Sequence, residues 1–216
     1  MFKHIMFVHL YILLTKNLNF MKRYNLILAT LTVLLLSAFT LATTEFKVDT
    51  KQSKVTWTGK KVTGEHTGTI AISEGKLISD GKTFTGGSFS IDMNSITCSD
   101  LTDAEYNGKL VGHLKSDDFF STEKYPVSTF TITSVTSKGK DQYSVKGNLT
   151  IKGITKELVF PATIQTSGNK ITAKAKIIVD RAKYDIRYGS GSFFDNLGDK
   201  AINDEFELNV ELVAVK

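Results

Sequence analysis

Residues 142–179 read QYSVKGNLTIKGITKELVFPATIQTSGNKITAKAKIIV. In the first ten, Tyr143, Val145, Gly147, Leu149 and Ile151 alternate with Ser144, Lys146, Asn148 and Thr150. Successive side chains of a β-strand point to opposite faces, so this spacing gathers the apolar groups on one face and the polar groups on the other. Leu158, Phe160, Ala162 and Ile164 repeat the pattern, and Ile171, Ala173, Ala175, Ile177 and Val179 repeat it against Thr172, Lys174 and Lys176. Lys152-Gly153 and Ser167-Gly168-Asn169 separate the runs with residues suited to tight turns. Short connections between alternating runs predict antiparallel neighbours.

The pattern extends in both directions. Downstream, Phe206, Leu208, Val210, Leu212 and Ala214 face away from Glu207, Asn209 and Glu211; upstream, Val55 to Trp57, Ile70 to Ile72, Phe89 to Met93, Phe130 and Ile132 continue the theme. Glu74-Gly75 and Asp80-Gly81 read as further turns. This is an all-β chain of about eight strands with one polar face, which packs as a sandwich or closes into a barrel. Two long stretches break the alternation. Residues 94–126 carry Leu101, Tyr106, Leu110, Val111 and Leu114 at near-helical spacing and predict one or two short helices. Residues 180–204, rich in Tyr, Gly and Phe, form the second. Both far exceed the usual connection of about 4–6 residues. Such segments plug barrel ends or carry gates and binding surfaces.

The N-terminal 42 residues are a different material. They contain no Asp or Glu, and their four basic residues are Lys3, Lys16, Lys22 and Arg23. Met21-Lys22-Arg23 precedes an apolar run from Leu26 to Leu36 interrupted only by Thr30 and Thr32, and Ser37 to Ala42 offers small residues for cleavage after Ala42. That order is the basic, apolar and small-residue sequence of a secretory signal, expected over residues 21–42, with a retained anchor as the alternative. Residues 1–20 precede a signal that has its own Met and read as an over-extended start. The expected location is therefore periplasmic or secreted. The whole chain has 27 Lys+Arg against 22 Asp+Glu, a net charge of +5. Setting the four N-terminal cations aside leaves 23 against 22, so the barrel portion carries no basic footprint for nucleic acid.

The chemistry-bearing residues are sparse. His66 and His113 each lack a sequence-neighbouring His or Cys, and Cys98 is the only cysteine, a count from which neither an intramolecular disulfide framework nor a Cys-based zinc site is expected. No G-x-S-x-G elbow occurs, and Gly189-Ser190-Gly191-Ser192 lacks the Lys-Ser/Thr of a phosphate cradle. Asp117-Asp118 after Ser116 fits a helix N-terminus, where negative charge meets the dipole. This pattern names no catalytic and no metal-binding residue. It leaves an apolar interior in which Gly147, Ala173 and Ala175 stand among larger neighbours. An eight-stranded barrel is just wide enough to be filled by side chains or to hold one small ligand.

Three segments taken together resemble the YceI-like family. They are His113-Leu-Lys-Ser-Asp-Asp-Phe-Phe120 continuing through Lys124-Tyr125-Pro126 to Thr129-Phe130, Gly147-Asn-Leu-Thr-Ile-Lys-Gly-Ile-Thr-Lys156, and Asp180-Arg181 with Tyr184 and Ile186. Val48-Asp49 and Ser53-Lys54-Val55 fit the opening of that pattern, and the likeness covers residues 45–215. The Trp57-Thr-Gly-Lys-Lys and His66-Thr-Gly stretches look like the variant common in Bacteroidetes-type members.

The resemblance implies an extended, lipocalin-like antiparallel barrel, exported to the periplasm, with a long polyisoprenoid or similar lipid in its lumen. It attaches no enzymatic activity and no cofactor, an isoprenoid quinone or polyprenyl lipid being the ligand. Trp57, Phe89, Phe130, Phe160, Ala173 and Leu208 are the candidate lumen lining. His113, Asp117, Arg181 and Tyr188 are the candidate polar end. Membrane contact is expected only through the signal segment or in transient lipid exchange, and a homodimer is left open. Two departures stand out: Leu110 and Val111 occupy the place of an Arg-Asp pair common before the motif His, and Asp185 stands where Gly is usual. The alternatives are an enzyme on a hydrophobic substrate, with His113 and Asp117 as acid and base, and an interaction module with a solid core.

Overall fold

The structure is a computed structural model and describes residues 43–81 and 83–216. The expected signal and the stretch before it lie outside the described residues. Nine strands follow the chain: β1 Thr44–Val48, β2 Lys54–Lys61, β3 Gly64–Ser79, β4 Phe84–Asp92, β5 Val127–Gly139, β6 Gln142–Ile151, β7 Ile154–Ser167, β8 Lys170–Asp180 and β9 Ile202–Val215. Among the described residues one α-helix, α1, spans Ala104–Lys115.

All the pairings between named strands are antiparallel, and the order β3-β2-β9-β8-β7-β6-β5-β4 closes on itself through β3–β4. Closure leaves no free sheet edge. The ninth strand does not add a ninth stave. β1 pairs with the far end of β3 (Thr44 opposite Ser79) and of β9 (Val48 opposite Ala214), whereas β2 pairs with their other portions. β1 and β2 are thus one stave interrupted at residues 49–53. Asp49 stabilises the interruption by accepting from the Lys51 and Gln52 backbone N–H groups at 3.0 and 3.1 Å, and Ser53 exchanges hydrogen bonds with the Val213 backbone.

Turn chemistry behaves as the residue types dictate at Lys152-Gly153. Ile151 pairs with Ile154, so the loop has two residues, and both take positive φ (51° and 74°). That is the twist-matched hairpin turn. Glu74-Gly75 is a correction: it is no turn but lies inside the 16-residue β3, where the register to β4 shifts between Ile72 and Glu74. A Gly within a long strand marks a bulge as readily as a loop.

Two apolar clusters occupy the barrel, one toward each end. One, around Phe46, Leu77, Phe84, Val145, Ile164, Ile171 and Ala214, packs one end of the barrel. The other gathers Trp57, Ile96, Cys98, Leu114, Phe119, Leu149, Val179, Tyr184 and Ile186 beneath α1 and its flanking loops. Asp103 caps α1 by accepting from the Glu105 and Tyr106 N–H groups at 2.9 and 3.0 Å, satisfying two donors that the helix cannot. Ser116-Asp117-Asp118 is a second correction. Ser116 is the C-cap of α1, and the two acids follow the helix instead of opening one. Tyr106, counted in the apolar stripe, is 63% exposed, with the Lys109 ammonium 5.5 Å from its ring centre.

The segment after β4 is seated on β3 almost as an extra strand: Thr97 N–H donates to Thr69 O at 3.0 Å and Ser99 N–H to Thr67 O at 2.8 Å. Gly68 lies under it. A Cβ there would meet Thr97 O at 1.8 Å and the Trp57 ring nitrogen at 2.8 Å, and that nitrogen donates to Thr97 O at 2.9 Å. Gly68→Ala is therefore expected to destabilise the fold by about 1–3 kcal/mol, because a rigid carbonyl must move. The check is thermal unfolding followed by far-UV circular dichroism. An unchanged midpoint would show that the segment is not seated on β3 this way.

Candidate functional site

The interior of the barrel is not solid. A cavity of about 290 Å³ lies under α1, walled by Trp57, Ile70, Ile96, Leu110, Leu114, Phe119, Phe120 and Phe206 among others. A second, of about 140 Å³, lies among Phe89, Phe130, Phe160, Ala173, Ala175 and Ile177. Val55, Ile91, Leu149 and Leu208 border both, so the two stand end to end with a common wall. Small residues make the inner space: Ala173 on β8 faces Ile164 on β7 and Leu212 on β9. Of the proposed lining, Trp57 borders the outer cavity, Phe89, Phe130, Phe160 and Ala173 the inner one, and Leu208 both. Phe130 stands between Phe89 and Phe160, with ring centres 6.4 and 5.5 Å apart.

The residues proposed for the polar end divide. His113 and Arg181 border the outer cavity, whereas Asp117 and Tyr188 line an open groove beside it that shares Lys61 and Ile202. His113, in the last turn of α1, has its Nε2 3.0 Å from Asp118 Oδ2. Its ring packs edge-on against Phe119 and Tyr188 at 4.9 and 4.5 Å. Asp117 turns elsewhere: Ser121 Oγ donates to it, and Lys124 Nζ binds it at 3.0 Å. The Ser121 and Lys124 contacts hold the Asp117 carboxyl below its ordinary range. An acid–base couple at this mouth would therefore be His113 with Asp118.

Arg181 follows β8 and is 3% exposed. Its Nε donates to Asn203 O at 3.1 Å, its Nη1 to Ile186 O and Tyr188 O at 3.1 and 2.7 Å, and its Nη2 to Ile202 O at 3.0 Å. Asp204 Oδ1 lies 3.3 Å from Nη2 as an ion pair without hydrogen-bond geometry. Burial lowers the guanidinium's pKa, and Asp204 and Asp180 oppose that shift. The fork is thus spent on backbone: it ties the loop after β8 to the start of β9 and forms part of the cavity wall while doing so. Lys61, at the same mouth, has an ammonium with no hydrogen-bond or ion-pair partner among the described residues.

The two departures from the family pattern acquire physical readings. Leu110 borders the cavity and Val111 packs against the cluster beneath α1, so α1 turns apolar groups inward at the two positions where an Arg-Asp pair is common. Asp185 has φ 57° and ψ 36°, the left-handed conformation. Gly adopts it freely and Asp tolerates it better than most residues, which accounts for the exchange. Arg187 Nε holds the Asp185 carboxylate at 2.6 Å.

Tyr184 is 1% exposed, and its hydroxyl has no hydrogen-bond partner among the described residues. Burial, with the Asp180 carboxylate nearby, pushes the phenol from 10.0 up to about 12. A raised folded-state value means that the stability is intact below pH 10 and falls as pH climbs through 10 to about 12, because only the unfolded phenol ionises there. Tyr184→Phe is expected to flatten that decline. At neutral pH it should cost less than about 1 kcal/mol, since the hydroxyl forms no hydrogen bond to lose. Urea titrations at neutral pH and at pH 11 check both; an undiminished alkaline decline in the variant would assign it to other groups.

One grouping was invisible in the sequence. The fold carries Cys98 and Asp100 to His66: His66 Nδ1 lies 2.8 Å from Asp100 Oδ2, and Cys98 Sγ donates to Asp100 Oδ1 at 3.2 Å. More than thirty residues separate His66 from Asp100, so only the seating of residues 96–100 on β3 reveals it.

A family profile described as the YceI-like domain matches residues 46–214. Protein YceI of Escherichia coli O157:H7 is 34% identical over 102 residues, 47% of this chain and 50% of that protein. A UPF0312 protein of Photorhabdus laumondii is 45% identical over 56 residues, 26% of this chain and 29% of that protein. The chain thus spans half or less of the length of these curated relatives. Among solved structures, BcnA of Burkholderia cenocepacia superposes with a TM-score of 0.63 at 26% identity, covering 78% of this chain and 99% of that one. A polyisoprenoid binding domain from Saccharophagus degradans, described as implicated in plant cell wall breakdown, gives 0.60 at 18% identity, covering 79% and 97%, and speaks for the fold alone. Because the profile runs from β1 to the penultimate residue of β9 and so takes in every stave of the barrel, the chain belongs to the YceI-like family.

Proposed function

We propose that this protein is an exported carrier that holds a long isoprenoid-like chain in its barrel, tail inward, with the polar head at the mouth beside His113 and Lys61. The observation that carries the reading is the pair of apolar cavities sharing one wall, in a barrel packed shut by Phe46, Phe84 and their neighbours at one end. Burial of such a chain is worth about 0.8 kcal/mol per CH₂, so affinity needs no catalytic group. Membership of the YceI-like family and the like fold of a polyisoprenoid binding domain support the choice of ligand class. The basic and apolar order of residues 21–42 supports delivery outside the cytoplasm. Tyr188, Phe193 and Phe194, which are 47%, 39% and 50% exposed, belong to the loop beside the mouth and supply exposed aromatic contacts for brief exchange with a lipid surface.

Native mass spectrometry of protein purified without detergent is the test. An adduct released by organic solvent is the expected result. Protein that is ligand-free and also fails to take up quinones or polyprenyl alcohols would overturn the carrier reading.

A further inference from the structure

The cluster of His66, Cys98 and Asp100 is independent of the carrier function. His66 sits on β3 opposite Gly59 of β2. Cys98 and Asp100, two residues apart in the segment that runs along β3, reach the same side of it. One atom from each, an imidazole nitrogen, a sulfur and a carboxylate oxygen, lies within 4.8 Å of the other two. Tetrahedral zinc with bonds of about 2.0–2.3 Å sets its ligand atoms about 3.5 Å apart, so the donors need to move by no more than about an ångström.

Second contacts hold the donors in place. Thr67 N–H donates to Asp100 Oδ1 at 2.8 Å. Asn107 Nδ2, from α1, donates to Cys98 O and Leu101 O at 3.0 and 2.9 Å and so clamps the segment from the helix side. Outer contacts of this kind orient ligands at metal sites. Asp100 turns both of its oxygens toward the cluster, Oδ2 to His66 Nδ1 and Oδ1 to Thr67 N–H and Cys98 Sγ. Cys98 is 8% exposed, whereas the His66 and Asp100 side chains are 31% and 30% exposed, which leaves an approach from solvent.

We propose that His66, Cys98 and Asp100 form a three-ligand site for a divalent transition metal of the zinc class, with a water completing the tetrahedron. One nitrogen, one sulfur and one oxygen donor suit Zn²⁺ or its spectroscopic substitute Co²⁺, and three protein ligands with an open fourth position are the pattern of a site that still exchanges ligands. Binding converts the Cys98 thiol to a metal-bound thiolate and releases its proton to solvent; the metal takes both electrons of the new bond from sulfur, and no redox step is involved. His66 also borders the outer cavity, so an ion here stands at the wall of the lumen.

Co²⁺ titration of the reduced full chain tests the proposal. The expected result is saturable one-to-one binding with a thiolate-to-cobalt charge-transfer band, abolished by Zn²⁺ and absent in Cys98→Ser. Asp100→Asn and His66→Gln should weaken binding by at least about tenfold. Circular dichroism of each variant establishes that the barrel is retained. Zn²⁺ should also protect Cys98 of the unaltered protein from alkylation, a readout that needs no variant to fold. Absence of the band at millimolar Co²⁺, a spectrum unchanged in Cys98→Ser, or alkylation indifferent to Zn²⁺ would each overturn the site and leave the cluster as a hydrogen-bonded latch. None of these results depends on lipid uptake.

Discussion

Replacing Arg181 with alanine is expected to lower the unfolding free energy by about 3–5 kcal/mol, the cost of breaking a buried charged group away from its partners. Four backbone carbonyls, those of Ile186, Tyr188, Ile202 and Asn203, receive its N–H groups, and Asp204 stands beside them. Removing the fork leaves these carbonyl oxygens and Asp204 Oδ1 with a desolvation cost and nothing in return, while Asp204 Oδ2 keeps its hydrogen bond from Ser192 at 2.6 Å. Arg181→Lys should restore little, because one ammonium cannot reproduce a planar fork that spans two segments. In urea the midpoint should fall by about 2 M, taking a slope of about 2 kcal/mol/M. A midpoint that moves by only a few tenths would mean that water replaces the guanidinium at little cost. Such a result would reopen a direct role for Arg181 toward ligand.

Leu208→Trp is expected to weaken binding of a long polyprenyl chain by about a thousandfold. Leu208 is on the wall common to both cavities. A bulky indole there closes the inner space, and excluding about five CH₂ groups forfeits about 4 kcal/mol. Chains short enough to stay in the outer cavity should lose far less. The diagnostic is therefore the dependence of affinity on chain length, measured with a series of prenyl alcohols. Equal losses for short and long chains would show that the tail does not pass Leu208. Thermal unfolding of the variant separates blocked volume from a damaged barrel, since overpacking carries its own cost of about 1–3 kcal/mol.

Strand positions were readable wherever alternation was clean. β6 to β9 needed only the two-residue period and the turns at Lys152-Gly153 and Gly168-Asn169, because local rules there act without competition. Glu74-Gly75 misled because a glycine that makes a bulge and one that makes a loop look alike until the partner strand is known. The acids after Ser116 misled in a similar way. A cap residue followed by carboxylates suits a helix start, but the contacts that place them, His113 with Asp118 and Lys124 with Asp117, are set after the helix has ended. That β1 and β2 share one stave was not legible at all, since it depends on β3 and β9 being long enough to serve both.

The lining could be read as a face but not as a space. Alternation says which way Ala173 points; only the facing strands decide whether a void is left there. Arg181 was picked out for its place in a motif, and its neighbours reveal an anchor for backbone. The His66, Cys98 and Asp100 grouping needed a non-local pairing, that of residues 97 and 99 with β3, which no periodicity records.

The packed cluster around Phe46, Leu77 and Phe84 makes the barrel a blind tube. A blind tube has no through-traffic: whatever goes in must back out by the same opening, last part first. For the isoprenoid-like guest proposed above, each added unit would lengthen the path of withdrawal, so residence time is expected to grow steeply with chain length while capture depends mainly on the entrance. For the carrier proposed above, delivery from such a vessel would be a handover at a surface, and the exposed rim of Tyr188, Phe193 and Phe194 is the place proposed for it.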